Sequence, residues 1–341
     1  MQKELTDRKL DNLYLNMERD SGIRAKLLSP SEPSKFQLHN AAYREDDVDK
    51  IKQLTGKKQL MINPLQKDEY GNTAVHYAAA GGNLNTMKYF VEEKQCSAAC
   101  LSVNERTPLH FAAEYRHPKV VQYLVADQQM DPMFQDKDGV TALHMACVGG
   151  DIEIVRYLVT EMTKYIPLQS VVSDTIEGGN APIHFAALWG HLRIVQLFIM
   201  EFNCDPNIPG WWDRTPLHAA AQEGHLGIVK YLVEEEECNV SCLDKDKVTP
   251  LHLATAKGQL DTVKYITQEK NGNPLSPNKL NDTPLHWAAD FGQLEVVKFF
   301  VETLNCPVDI KGHLNMTPLE QAGRNNHTHV TQYLCQLCEQ I

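Results

Sequence analysis

Apolar residues recur along the chain in short bursts at helical spacing. Leu226, Ile228, Val229, Tyr231 and Leu232 form one burst, and Leu294, Val296, Val297, Phe299 and Phe300 another, each with a turn residue in front. Ahead of each burst stands a shorter, alanine-rich phrase, "DRTPLHAAAQEGH" or "NDTPLHWAADFGQ". Its threonine is a helix cap, and its proline fills the first helical position, where a missing N–H costs nothing. The paired alanines let neighbouring helices approach closely. Each segment therefore predicts helix, tight turn, helix. Between segments, "DEYGNT" and "DKDGVT" put Asp, Asn and Gly where a reversing chain needs positive φ, which predicts hairpin turns.

The phrase occurs eight times, with its threonine position at 73, 107, 141, 181 (an alanine), 215, 249, 283 and 317. The interval is 34 residues throughout except for 40 between 141 and 181. A worn copy, "FQLHNAAYREDD", begins at Phe36. The period and the T-P-L-H-x-A wording resemble the ankyrin repeat family over residues 36–341. The resemblance implies an all-α solenoid of about nine helix-turn-helix units joined by β-hairpin turns, starting near 36, 73, 107, 141, 181, 215, 249, 283 and 317. Phe36 in place of threonine and Glu320 in place of histidine look like capping variants. The extra residues predict a longer second helix or loop past Thr160, with Pro167 breaking any continuation. Residues 1–35 form an N-terminal extension. Leu5, Leu10, Leu13 and Met17 share a helical face there, so a short helix either covers the edge of the first repeat or stays free to bind.

Composition narrows the function. At 43% hydrophobic residues the chain folds, and no run approaches a transmembrane length. A net charge of −11 opposes nucleic-acid binding, which depends on Lys and Arg neutralising phosphates. No phosphate-binding loop, dinucleotide fingerprint, H-E-x-x-H or G-x-S-x-G occurs, so neither catalysis nor a cofactor is expected. The acidic run Glu234 to Glu237 ends a helix and reads as a solvated face.

Histidine and cysteine repeat in register. His39, His76, His110, His144, His184, His218, His252 and His286 each follow the threonine position by three residues. The resemblance implies that they hydrogen-bond between the turns of neighbouring repeats. His117, His191 and His225 share a second register, in the inter-helix turn, and His313, His327 and His329 take no role here. Cys96, Cys204, Cys238 and Cys306 lie 23 residues after the threonine position, and Cys100 and Cys242 lie 27 after it. Such recurrence marks fillers of the core rather than metal ligands. Reduced thiols suit a cytoplasmic protein.

In ankyrin repeats, partners are gripped mostly at positions −4, −3 and −1 before the threonine and +7 and +8 after it, which form a concave groove. In this chain those positions hold Tyr115, Leu188, Trp189, Trp211, Trp212, Arg214, Glu223 and Phe291 among others. Three of the four tryptophans fall on them, in adjacent repeats, whereas Trp287 sits in a register of buried apolar residues. The resemblance implies a non-catalytic monomer that binds a protein or peptide through this patch. Two readings of the tryptophans stay open, a binding hot spot or cover for the widened joint at 160–180. A second function class is also open: the cytoplasmic repeat region of a larger signalling protein or a TRPA-like channel.

Overall fold

A computed structural model describes residues 37–44, 46–56, 63–173 and 179–338. The N-terminal extension, Phe36 and residues 174–178, Glu177 and Gly178 included, lie outside these. The described residues form helices and turns, with no strand and no helix long and apolar enough to cross a membrane. The chain divides after Met162 into two compact units.

In the first unit the opening helices of successive repeats, Gln37–Arg44, Ala74–Gly81, Pro108–Glu114 and Ala142–Gly149, pack side by side. In the second, Pro182–Leu188, Pro216–Glu223, Pro250–Ala256, Pro284–Asp290 and Pro318–Arg324 do the same. The alanines that permit this approach are buried, as at Ala112 and Ala220. Each opening helix is followed by a second helix whose apolar face closes the core, for example Ile228, Val229 and Leu232.

The T-P-L-H phrase works as a cap that also reaches the next repeat. Thr107 is extended at the N-cap, and its N–H donates to Nδ1 of His110 at 3.2 Å. Nδ1 is thus an acceptor, so the proton sits on Nε2, which donates to the carbonyl of Val140 at 2.9 Å. The same link runs from His76 to Arg106 O (3.1 Å), His184 to Arg214 O (3.0 Å), His218 to Val248 O (3.2 Å) and His252 to Asp282 O (3.2 Å). At Thr317, Glu320 performs the capping half with a carboxylate, accepting the Thr317 N–H at 2.7 Å. The second register serves stacking too: His117 and His225 donate from Nε2 to Ala80 O (2.8 Å) and Leu188 O (2.9 Å). His327, which carried no role in the sequence reading, occupies this register and binds Asp290 O at 2.8 Å.

The recurring cysteines have a conformational cause. Five second helices loosen into a π-type last turn, as at Tyr89–Glu93 and Phe299–Thr303, and left-handed residues such as Gln95, Glu237 and Asn305 follow the helix ends. The next N–H then closes the end by reaching back six residues, from Cys96 to Phe90 O and from Cys306 to Phe300 O, both 2.9 Å. That position wants a small apolar side chain, and Cys96, Cys204, Cys238 and Cys306 are all buried. The irregular repeat departs as its spacing predicts. Its second helix, Ile152–Met162, runs past Thr160, and Pro167 precedes an extra turn, Leu168–Val172.

The reversals between repeats are narrower than hairpins with strands. Among the described residues the complete reversals are closed by a main-chain pair, such as Asp136 N to Val140 O at 2.9 Å, and several neighbouring tips share a main-chain bond, such as Lys279 N to Asp246 O at 2.8 Å. At regular tips the leading Asp or Asn accepts two N–H groups of its own turn, as Asp244 Oδ1 does from Asp246 and Val248, both at 2.8 Å.

Candidate functional site

The tip carrying the tryptophan pair breaks this rule. Its leading residue is Gly210, which has no side chain to organise the turn. Instead Asn180, from the preceding tip, accepts the N–H of Trp211 at 3.1 Å. Only glycine fits, since a Cβ on residue 210 would lie 2.3 Å from Asn180 Oδ1. Trp211–Asp213 then winds into a single 3-10 turn with two consecutive left-handed residues, Trp212 at φ +63° and Asp213 at φ +61°. A bulky residue is rarely held there, at a cost of about 1–2 kcal/mol. Lys245 N–H donates to Trp212 O at 2.7 Å and fixes the turn against the next tip.

The two rings differ in what they meet. Trp211 lies against Gly179, where an added Cβ would fall 1.8 Å from its indole nitrogen. Trp212 is half-buried with no ring partner. No ring contact joins Trp189, Trp211 and Trp212 among the described residues. Trp189 ends the helix Pro182–Leu188 and is 37% exposed.

Of the expected groove residues, Leu188 is buried and Arg214 is held in an ion pair. Leu188 is buried, because its aliphatic chain turns in beneath the end of the helix, so it does not flank a surface patch. Arg214 donates from Nε to Asp244 Oδ2 at 3.0 Å. Its counterpart Arg106 makes the same 3.0 Å contact with Asp136, wholly buried. Both arginines tie one tip to the next, and this is a structural use of the −1 position. Tyr115 is half-buried at the end of Pro108–Glu114, in the other compact unit.

In the first four repeats of the second unit the +8 positions form a row of Trp189, Glu223, Lys257 and Phe291, and the last repeat carries Asn325 there. Glu223 and Lys257 form an exposed ion pair at 3.9 Å. Phe291 is 51% exposed and lies 6.0 Å, centroid to centroid, from Trp287. The expectation that Trp287 is buried needs correcting. Its edge meets His252 at 5.4 Å, but the larger indole outgrows the space that holds Leu253 or Phe185 and stays partly open. Its size was the sequence signal for this.

In the acidic run, Glu234 accepts from Tyr265 and Lys270, both at 3.0 Å, and Glu236 accepts from Tyr231. Cys100 lies 3.6 Å from His76 Nδ1, and Cys242 lies 3.7 Å from His218 Nδ1. Burial pushes both thiols up to about 11 and holds both imidazoles down, His76 to about 4 and His218 to about 3. Such shifts oppose the thiolate a nucleophile requires near neutral pH.

The search of curated proteins finds no match. The family model for ankyrin repeats matches residues 38–133, 128–210, 183–278 and 270–340, nearly the whole length over which the histidine caps and stacked helices recur. The chain belongs to the ankyrin repeat family.

Proposed function

We propose that this chain is a non-catalytic protein-interaction module that binds a protein or peptide, as ankyrin repeats generally do. The observation that carries the reading is the pair of aromatic rings, Trp189 and Phe291, left in water at equivalent helix ends of one compact unit. Exposed aromatics are typical anchors of binding energy. Trp212 supports it, since a tryptophan held in a left-handed turn is backbone strain at a surface position. Trp211 is better explained as cover for Gly179. We further propose that the repeat domain begins near residue 36 and that the chain acts as a monomer in the cytoplasm, where its thiols stay reduced.

The test is capture of proteins from a cell extract by the wild-type chain and by the Trp189→Ala/Phe291→Ala variant. Exposed substitutions of this kind shift stability by only about 0.5 kcal/mol. The expected result is loss of the captured proteins with the melting temperature retained. Undiminished capture by a folded variant would refute the reading.

A further inference from the structure

We infer that the row Trp189, Glu223, Lys257, Phe291 reads an extended peptide of polyproline II form, one side chain per repeat, with the sequence apolar-x-x-basic-x-x-acidic-x-x-apolar counted from the Trp189 end. The inference rests on the interaction-module reading above.

The geometry begins with the step of the row. The four residues end consecutive opening helices that pack side by side, and packed helix axes lie about 8–10 Å apart. From Trp189 to Phe291 the row therefore spans about 24–30 Å. A polyproline II chain advances about 3.1 Å per residue with three residues per turn, so residues i, i+3, i+6 and i+9 share one face at a step of about 9.3 Å. That step falls within the repeat spacing.

Other conformations fit less well. A β-strand alternates faces, so residues three apart point in opposite directions. In an α-helix the matching residues lie seven apart, about 10.5 Å, and the mismatch grows with each repeat. A helix would also need a continuous apolar stripe, and the middle of this row is charged.

Chemistry assigns the four positions. Trp189, 37% exposed, meets one apolar side chain, and Phe291 with the neighbouring Trp287 forms a two-ring platform for another. Aromatic platforms of this kind dock the rigid, low-entropy polyproline II chain, proline included. Between them Glu223 faces a basic residue and Lys257 an acidic one. Their mutual bond, at 3.9 Å with side chains 54% (Lys257) and 32% (Glu223) open to water, is weak enough to exchange for partner charges.

The experiment is selection of a random displayed peptide library on the immobilised full chain, followed by affinity measurement of the enriched peptides by fluorescence polarisation. The expected peptides carry apolar residues nine apart with opposite charges at the two intervening thirds. Trp189→Ala and Phe291→Ala each weaken them at least tenfold. The double exchange Glu223→Lys/Lys257→Glu keeps the net charge and inverts the N-to-C order of the two charges selected. Enriched peptides with helical i, i+3, i+4, i+7 spacing, with strict alternation, or with a charge order indifferent to the exchange would overturn the register and leave the interaction-module reading intact. A library that yields nothing overturns it as well, and capture of intact proteins then decides the module reading separately.

Discussion

Acidification should unfold this protein in a window set by its stacking histidines. Burial holds His76, His110, His184 and His252 near 4 and His218 near 3, below the usual 6.5. The cause is visible at each site. Nδ1 accepts the N–H of its own cap, and protonation would turn that acceptor into a second donor facing an N–H in a dry interior. Because these values are depressed on folding, the unfolded chain binds more protons between pH 6.5 and 4. Stability is therefore full above 6.5 and falls as the pH drops through that window. At pH 5 an unfolded histidine is almost wholly protonated and a folded one scarcely, which costs about 2 kcal/mol for each, or about 10 kcal/mol for the five. That rivals the whole stability of a typical domain, about 5–15 kcal/mol.

The assay is urea unfolding followed by far-UV circular dichroism at half-unit steps from pH 7.5 to 5. Repeat arrays can unfold in parts, so the slope is read for each transition resolved. The first compact unit holds two of the five histidines and the second holds three. His110→Gln isolates one proton. Its amide can still accept the Thr107 N–H and donate to Val140 O, and its slope should fall by about 1.4 kcal/mol per pH unit near pH 5. A stability that changes between pH 6 and 5 by less than one proton's worth would show that the histidines titrate freely in the fold, and the capping account would be wrong.

Three further outcomes follow from the tips. Gly179→Ala should cost about 1–3 kcal/mol by driving a methyl into the Trp211 indole, and Trp211→Ala in the same chain should recover most of the loss in melting experiments. Trp212→Gly should leave melting unchanged or raise it by about 1 kcal/mol, because glycine accepts φ +63° freely, while capture of partner proteins weakens; a clear drop in stability would mean that the ring is packing. Arg106→Ala should destabilise by about 3–5 kcal/mol by stranding the buried Asp136 carboxylate. Arg214→Ala, whose side chain is 24% exposed, should cost less, and equal losses in chemical denaturation would contradict the burial argument.

Legibility in the sequence followed how local each determinant is. The phrase T-P-L-H names a cap, a first helical residue and a link to the next repeat within four letters, so the helices and the stacking histidines could be read from it. The cysteines gave up their register but not its reason, which is a left-handed helix end unmarked by glycine at Gln95, Asn203, Glu237 and Asn305. Site residues were less legible because exposure depends on volume as well as register. Leu188 and Asp290 occupy the same +7 position, yet the leucine turns inward and the aspartate pairs with Arg324 at 3.5 Å. Trp287 and Phe185 share a register too, and only the larger ring protrudes.

The tryptophan tip shows how a repeat can be released from its frame without losing its place in the stack. Regular tips organise themselves through a leading Asp or Asn. Gly210 and Gly312 abandon that, and in both cases the residue before the threonine of the preceding repeat, Asn180 or Asp282, supplies the missing acceptor to the N–H of Trp211 or His313. Both tips then adopt the same pair of left-handed residues, Trp212–Asp213 and Leu314–Asn315. The acceptor has moved by one repeat, and Asn180 takes one N–H where the Asp of a regular tip takes two, while the Arg214 N–H turns to Trp211 O at 3.1 Å. What it gains is a large apolar side chain at the apex, half-buried at Trp212 and 69% exposed at Leu314. A fold needing only closure would keep the self-contained Asp turn of its neighbours. The borrowed acceptor, the glycine and the strained apex are what the proposed contact surface would require of these tips.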